Sequence, residues 1–485
     1  MFPTTNAATI VQRFRQQRIL VVGEAMLDCY YHGRAERISP EGPVPVVQAG
    51  SKMYYPGGAC NAAANVAALG GTAHCLSVVG QDEAAAQLRA AVTQHGVMAD
   101  FVEDAGRATL TKLRILADDQ YVVRWDEGER TPLSAEVEQE LIGRLQVGFA
   151  AADAVIVADY CYGVLSPRII AEIGRLKAQH GRLVLVDSKS LPAYRGMTAS
   201  VITPNHLEAQ KALGWNVRDV DRLTATELEA LGRAVLDSIQ AEWALVTLGA
   251  KGSLLFQADA PTQRIAPRPV ARAHVSGAGD TFTATLALAL AAGAPPRLAA
   301  EIAADAAAIA VAKPGTATVT AQELLQRLAQ HSSVGTAGLA LSSVVARHRQ
   351  AGRRIVFTNG VFDGLNAGHV AFLHAARQLG DVLIVGVNSD QGAAVRRGTL
   401  PQHSQAERVA LVAALGSVDH VVVFDEPTPQ AVIALIAPDI HAKGGDHSGA
   451  ELPEAATVQA HGGEVVILPL FPGDGGPGGE KVVRV

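Results

Sequence analysis

Short β-branched runs alternate with Ala- and Leu-rich helical stretches along most of the chain, and this alternation constrains the fold more than any other feature. Strand candidates lie at 19–22, 75–79, 154–158, 183–186, 200–202 and 244–247. Most end in Gly, Asp or Asn, and helical patterns such as 166–179 and 224–240 follow several of them. Strands that read as continuous apolar runs are buried on both faces, so the pattern predicts parallel sheets covered by helices. The alternation restarts at 355–357 and continues through 382–387, 421–424 and 465–468. Between the two series, 328–350 begins with uncharged Ser, Gly and Thr residues and ends in a short basic helical pattern. The reading is α/β throughout: one domain over 1–330, a linker and leading helix over 331–350, and a second domain over 351–485.

Composition removes several function classes. The length of 485 residues allows two to four domains. With 41 basic against 47 acidic residues the net charge is −6, which leaves no basic footprint for nucleic acid. Four cysteines (Cys29, Cys60, Cys75, Cys161) without a CxxC spacing predict a reducing, cytoplasmic compartment and no metal–cysteine site. The longest stretch free of charged residues, 53–81, is broken by Pro56, Gly57, Gly58, Asn61, Asn65 and His74, so no membrane span is expected.

The sharpest local signal is Ser276-Gly277-Ala278-Gly279-Asp280 followed by a helical run. Glycines let successive N–H groups converge on one spot, and a helix start adds a positive dipole end. Gly277, Ala278 and Gly279 therefore form a candidate anion hole, with Asp280 at its lip placed to accept a proton from an attacking hydroxyl. Gly57-Gly58-Ala59-Cys60-Asn61 opens another helix, in which Asn61 and Asn65 share a face at i, i+4. Amides inside an Ala-rich helix call for a hydrogen-bonding partner, and a polyhydroxyl ligand would supply one. Asp28 follows the first strand, where ligands bind in open α/β sheets. Asn205 and Glu208 follow another strand and offer oxygen ligands to a hydrated Mg²⁺, Glu208 through water. Thr247, Gly249 and Gly252 form a strand-end turn suited to a nucleotide's sugar or phosphate. No Lys directly follows a Gly, so a GxxxxGK[ST] phosphate loop is excluded.

Together, Gly-Gly-x-x-Asn, the Asn205/Glu208 pair and Gly-Ala-Gly-Asp, in this order over about 320 residues, resemble the ribokinase (PfkB) sugar kinases. The stretches 37–47 (RISPEGPVPVV) and 111–116 (TKLRIL) resemble their heptose-7-phosphate kinase branch. The resemblance implies a ribokinase-like three-layer domain with a small β lid. It also implies Asp280 as base toward an anomeric hydroxyl, with Asp28, Gly58 and Asn61 holding the sugar. Lys112, Arg114 and Lys189 are candidates for the substrate's own phosphate. By the same resemblance, 43–55 belongs to a lid that dimerises, so a homodimer is expected.

The second unit opens with Thr358-Asn359-Gly360-Val361-Phe362-Asp363, then Asn366-Ala367-Gly368-His369 at a helix start. With VGVNSD at 385–390, Arg408 and the KGGD run beginning at Lys443, it resembles the cytidylyltransferase-type nucleotidyltransferases, whose fold is Rossmann-like. More narrowly it is similar to their heptose-1-phosphate adenylyltransferase members. The resemblance implies nucleotide contacts at Asn359, Gly360, Phe362, Asn366, Arg408 and Lys443, with His369 catalytic. Two positions depart from the family pattern. Asn366 stands where the first histidine of H-x-G-H belongs, and an amide carries no positive charge. A late Ser/Thr turn is replaced by 471–480, FPGDGGPGGE, which has no hydroxyl residue.

The resemblances imply ATP and Mg²⁺ as cofactors, with a monovalent cation as an open addition, and sugar phosphates as partners. The kinase would phosphorylate C1 of D-glycero-β-D-manno-heptose 7-phosphate. After a separate phosphatase, the second domain would make ADP-heptose for lipopolysaccharide core or other heptose-bearing glycans. Two alternatives stand beside this: a kinase with a non-catalytic second domain, and a kinase for another sugar.

Overall fold

The computed structural model describes residues 7–118, 120–128, 130–268, 270, 277–313, 315–331, 338–426, 428–445, 453–469 and 483–484. The chain divides into two compact units, which part between Gln326 and Arg327. Of the linker and leading helix expected at 331–350, residues 332–337 lie outside the described residues, as does the Gly-rich 471–480 stretch, and a helix runs over Gly338–Gln350.

Among the described residues, the first unit contains β1 (Arg18–Gly23), β2 (Ala25–Ile38), β3 (Pro45–Gly58), β4 (Thr72–Val79), β5 (Met98–Glu103), β6 (Thr111–Ala117), β7 (Gln120–Glu127), β8 (Ala154–Asp159), β9 (Leu183–Ser188), β10 (Val201–Ile202), β11 (Trp243–Thr247), β12 (Ser253–Gln257) and β13 (Gln263–Ile265). Nine of them form one sheet in the order β13-β12-β11-β10-β9-β8-β1-β4-β5. Its strands are parallel except at one edge, where β12 and β13 turn back antiparallel, a departure from the all-parallel expectation. That edge needs only a short hairpin, which parallel pairing does not allow. On one face Leu20, Val22, Val155, Val157, Val184 and Val186 join a single buried cluster with flanking helices. On the other, Ile19, Val21, Ile156 and Leu185 are equally buried. Continuous apolar strands thus serve two cores at once.

The remaining four strands, β3-β2-β6-β7, make a second sheet. Its β7 is exposed along its whole length, with Tyr121, Val123 and Trp125 outward on one face.

The second unit contains β14 (Ile355–Gly360), β15 (Val382–Asn388), β16 (His420–Phe424), β17 (Ile440–Gly444), β18 (Glu464–Leu468) and β19 (Val483–Arg484), ordered β16-β15-β14-β17-β18-β19. Ile355 and Phe357 enter one buried cluster and Val356 the opposite one, as the two-residue strand period demands. No helix among the described residues is long and apolar enough to cross a membrane.

Candidate active sites

In the first unit the connections leave β1 and β8 in opposite directions, so a crevice opens beyond their C-terminal ends. The helix Ala278–Ala291 points its N-terminus there. Gly277 has φ +77°, and a Cβ on it would lie 2.8 Å from the Asn61 amide nitrogen, so glycine is demanded by backbone and neighbour alike. No described side chain caps this helix. The N–H groups of its first turn are therefore available to an anion.

Asp280 lies in that first turn. Its Oδ1 accepts the Tyr160 hydroxyl at 2.5 Å and its Oδ2 accepts the Asn61 amide at 2.6 Å. Burial raises its pKa above the ordinary carboxylate value, while the two hydrogen bonds and Lys189 pull it down and Asp28 pushes it up. A second carboxylate in the cleft, Asp187, is pushed up to about 7, chiefly by burial, with Lys189 opposing and Asp280 and Glu208 adding to the rise.

Other predicted residues reach the site in altered roles. Asn61 and Asn65 find their partners inside the protein: Asn65 donates to Asn61 and accepts from Thr281 and the Val319 N–H. No sugar is needed to satisfy Asn65, and the amide cost inferred from sequence is met by the neighbouring helix. Asp28 is buried, with Arg114 on one oxygen at 2.6 Å and the Thr316 hydroxyl on the other at 3.0 Å. Arg114, expected to meet a phosphate, is engaged internally. Gly58 is the N-cap of the helix Ala59–Ala68.

Asn205 and Glu208 form a reciprocal capping box on the helix His206–Ala212, and Glu208 also binds Lys189. Both still line the cleft, together with Thr247, Gly277 and Gly279. Gly249 and Gly252 are not among the lining residues. A Cβ on Gly252 would fall 2.3 Å from the Ile265 carbonyl, so hairpin packing explains that glycine. Of the three phosphate candidates only Lys112 lacks a carboxylate partner among the described residues. Its ammonium sits 5.5 Å from the Tyr160 ring centre and 6.0 Å from that of Tyr162, which Arg130 also approaches at 5.1 Å. Sequence reasoning missed Tyr160, Asp187, Glu24 and Arg130. The one available signal was that Tyr160 directly follows a buried strand, β8.

In the second unit the crevice lies beyond β14 and β17, where the strand order reverses. Asn359 is the penultimate residue of β14, and its Oδ1 accepts Lys443 at 2.9 Å and meets His441 Nε2 at 3.2 Å. Its buried Nδ2 has no protein partner among the described residues, a donor suited to a ligand oxygen. Gly360 follows it in β14, and Phe362 holds the left-handed φ of +55°, which is rare for a bulky residue outside functional turns. Arg408 is fully buried and holds His403 O, Val361 O and Asp390 at 3.1, 2.6 and 2.8 Å. It braces the loop rather than reaching for nucleotide, a correction to the expectation from resemblance. Asn366 caps the helix Ala367–Arg377: its Oδ1 accepts the His369 N–H at 2.9 Å, and His369 Nδ1 accepts the Asn366 N–H at 3.3 Å. Nε2 is the ring nitrogen left for a ligand.

Sequence comparison matches residues 16–323 to the pfkB family carbohydrate kinases and 357–456 to the cytidylyltransferase-like family. The chain is 39% identical to the bifunctional protein HldE of Trichlorobacter lovleyi over 475 residues, covering 96% of this chain and 95% of that protein. The chain belongs to the bifunctional HldE family. The HldE proteins of Gluconobacter oxydans and Proteus mirabilis are each 38% identical, covering 96% and 94% of this chain and 97% and 95% of those proteins. It is a kinase joined to a nucleotidyltransferase. The first unit has the ribokinase-like fold. Phosphofructokinase-2 from Escherichia coli, in complex with potassium, superposes with a TM-score of 0.55 at 19% identity, covering 64% of this chain and 98% of that one. Ribokinase from Giardia lamblia gives 0.53 at 18% identity, covering 65% and 99%.

Proposed function

We propose that the first unit transfers the γ-phosphoryl group of ATP to the C1 hydroxyl of D-glycero-β-D-manno-heptose 7-phosphate, and that the second transfers an adenylyl group from ATP to heptose 1-phosphate. The observation that carries the kinase reading is a buried carboxylate, Asp280, in the first turn of a helix that no described side chain caps. The base takes the hydroxyl proton as the oxygen attacks phosphorus, and ADP leaves. The first-turn amides stabilise the charge on the transferring group. Lys112 and Arg130, gathered at the Tyr162 ring, suit the phosphate at the far end of the sugar. Relatives matching across both domains support the two-step reading and the lipopolysaccharide-type destination of ADP-heptose.

The cleft's oxygen donors fit Mg²⁺. The described residues hold no cluster of three or more ligating side chains, and Mg²⁺ needs only one or two carboxylates beside phosphate and water. Glu208 would hold it through water, and the ion would neutralise charge between the β- and γ-phosphates. The exposed apolar face of β7 supports a homodimer through the lid. Asn359, Lys443 and His369 would bind the second nucleotide's phosphates.

Product analysis from ATP and heptose 7-phosphate, with and without an added phosphatase, tests the whole reading. Heptose 1,7-bisphosphate should form alone, and ADP-heptose with pyrophosphate should appear only with the phosphatase. Preference for ribose or fructose would overturn the substrate. Absence of pyrophosphate with an active kinase would leave the second domain non-catalytic.

A further inference from the structure

Tyr160 follows β8 directly, 120 residues before Asp280, and its hydroxyl donates to the carboxylate's Oδ1 at 2.5 Å. Asn61 serves the other oxygen, so each oxygen of the base has one fixed donor and keeps lone-pair capacity for a substrate proton. The tyrosine is itself held. Its backbone N–H donates to Glu24 Oε2 at 2.7 Å, while the N–H groups of Tyr162 and Val164 reach Oε1 at 3.3 and 3.2 Å. Glu24 is completely buried, and burial, with Asp159 nearby, raises its pKa to about 7. Lys112 and Lys189 flank the Tyr160 ring at 5.5 and 5.8 Å.

We infer that Tyr160 is a positioning residue for the kinase step: anchored by Glu24, it fixes the Asp280 carboxylate in its attacking orientation and favours its ionised form. The inference rests on the kinase reading above. A phenol hydrogen bond to a carboxylate stabilises the anion, so removing it raises the base's pKa. The other groups facing Asp280 are Asp28 from β2, Asn61 from the helix Ala59–Ala68, and Asp187 and Lys189 at the end of β9. None of these changes when the phenol oxygen alone is removed. Tyr160 stays a donor, because burial and the nearby carboxylates hold its own pKa well above 10.

The test is Tyr160→Phe in the full chain, which keeps the ring, assayed by ADP release from ATP and heptose 7-phosphate between pH 5 and 9. The expected result is a kcat lower by roughly 10- to 100-fold with both KM values within about twofold. The acidic limb of the kcat profile should move up by about one pH unit. Wild-type kcat, or a lower kcat with an unmoved limb, overturns the inference, as does a raised sugar KM at unchanged kcat. Thermal unfolding and binding of a fluorescent ATP analogue check that the variant is folded. Wild-type chain that releases no ADP with this sugar, or Asp280→Asn that remains active, would instead count against the kinase reading itself.

Discussion

Each unit builds a candidate site at the start of a helix, yet the two starts differ in where their first-turn N–H groups point their hydrogen bonds. At Ala278–Ala291 the N-cap is a left-handed glycine without a side chain, so the donors remain for a ligand. At Ala367–Arg377 the Asn366 side chain and His369 satisfy one another. A helix start attracts anions only to the extent that its donors are unclaimed. In the kinase unit, charge recognition is therefore written into the backbone. In the other unit the Asn366 and His369 N–H groups are taken, and side chains such as Lys443 and His369 would add to the donors that remain.

The largest expected effect breaks the kinase side alone. Asp280→Asn should lower kinase turnover by about 10²–10⁴-fold while ATP binding and adenylyl transfer stay nearly unchanged. A loss under about tenfold would remove Asp280 as general base. Gly277→Ala comes next: the new methyl meets the Asn61 amide and the backbone must hold φ +77°. Turnover should fall about tenfold or more, with roughly 1–2 kcal/mol less stability by denaturant unfolding. Wild-type behaviour would mean that the bare N-terminus is not what matters.

Asn366→His sharpens the contrast from the other side. It removes a good N-cap, at about 1 kcal/mol, and supplies a chargeable donor. Pyrophosphate release from ATP and heptose 1-phosphate should rise several-fold although the melting temperature falls. An unchanged rate would move the cause to the 471–480 stretch.

The smallest effect concerns Glu24. Its folded pKa, about 7, lies above the ordinary 4.5, so its contribution to stability is full below pH 4.5 and is lost as pH rises through 7. Glu24→Gln should be less stable than wild type at pH 5, and the gap should narrow by pH 8. A gap that widens with pH would show that the charged form holds the Tyr160 loop.

The main sheets were legible because buried strands such as 154–158 and 382–387 are continuous apolar runs whose neighbours are helical. The lid was not legible from pattern. β7 is exposed on both faces and its residues show no simple alternation, so only resemblance pointed to it. The position of Gly277 and Asp280 at the cleft was readable because both lie in one contiguous motif before a helix. Glu24 and Tyr160 were hidden because each looks like an isolated polar residue after a strand, and only folding sets their side chains and backbone against each other. Arg408 shows the reverse case. Its motif position implied a ligand, whereas full burial and three internal acceptors make it a brace.

The contact between Asn61 and Asp280 spans 219 residues of chain. At translation rates of about 5–20 residues per second, Asn61 exists for about 10–45 s before its carboxylate partner is made. Thr281 and Val319, the partners of Asn65, follow later still. During synthesis the helix Ala59–Ala68 therefore carries an Asn61 donor and an Asn65 acceptor whose partners all lie in the C-terminal part of the kinase unit. A ribosome stopped before residue 280 would release a chain that has the thirteen described strands of the first unit but lacks Asp280, Thr281 and Val319, the partners of those amides.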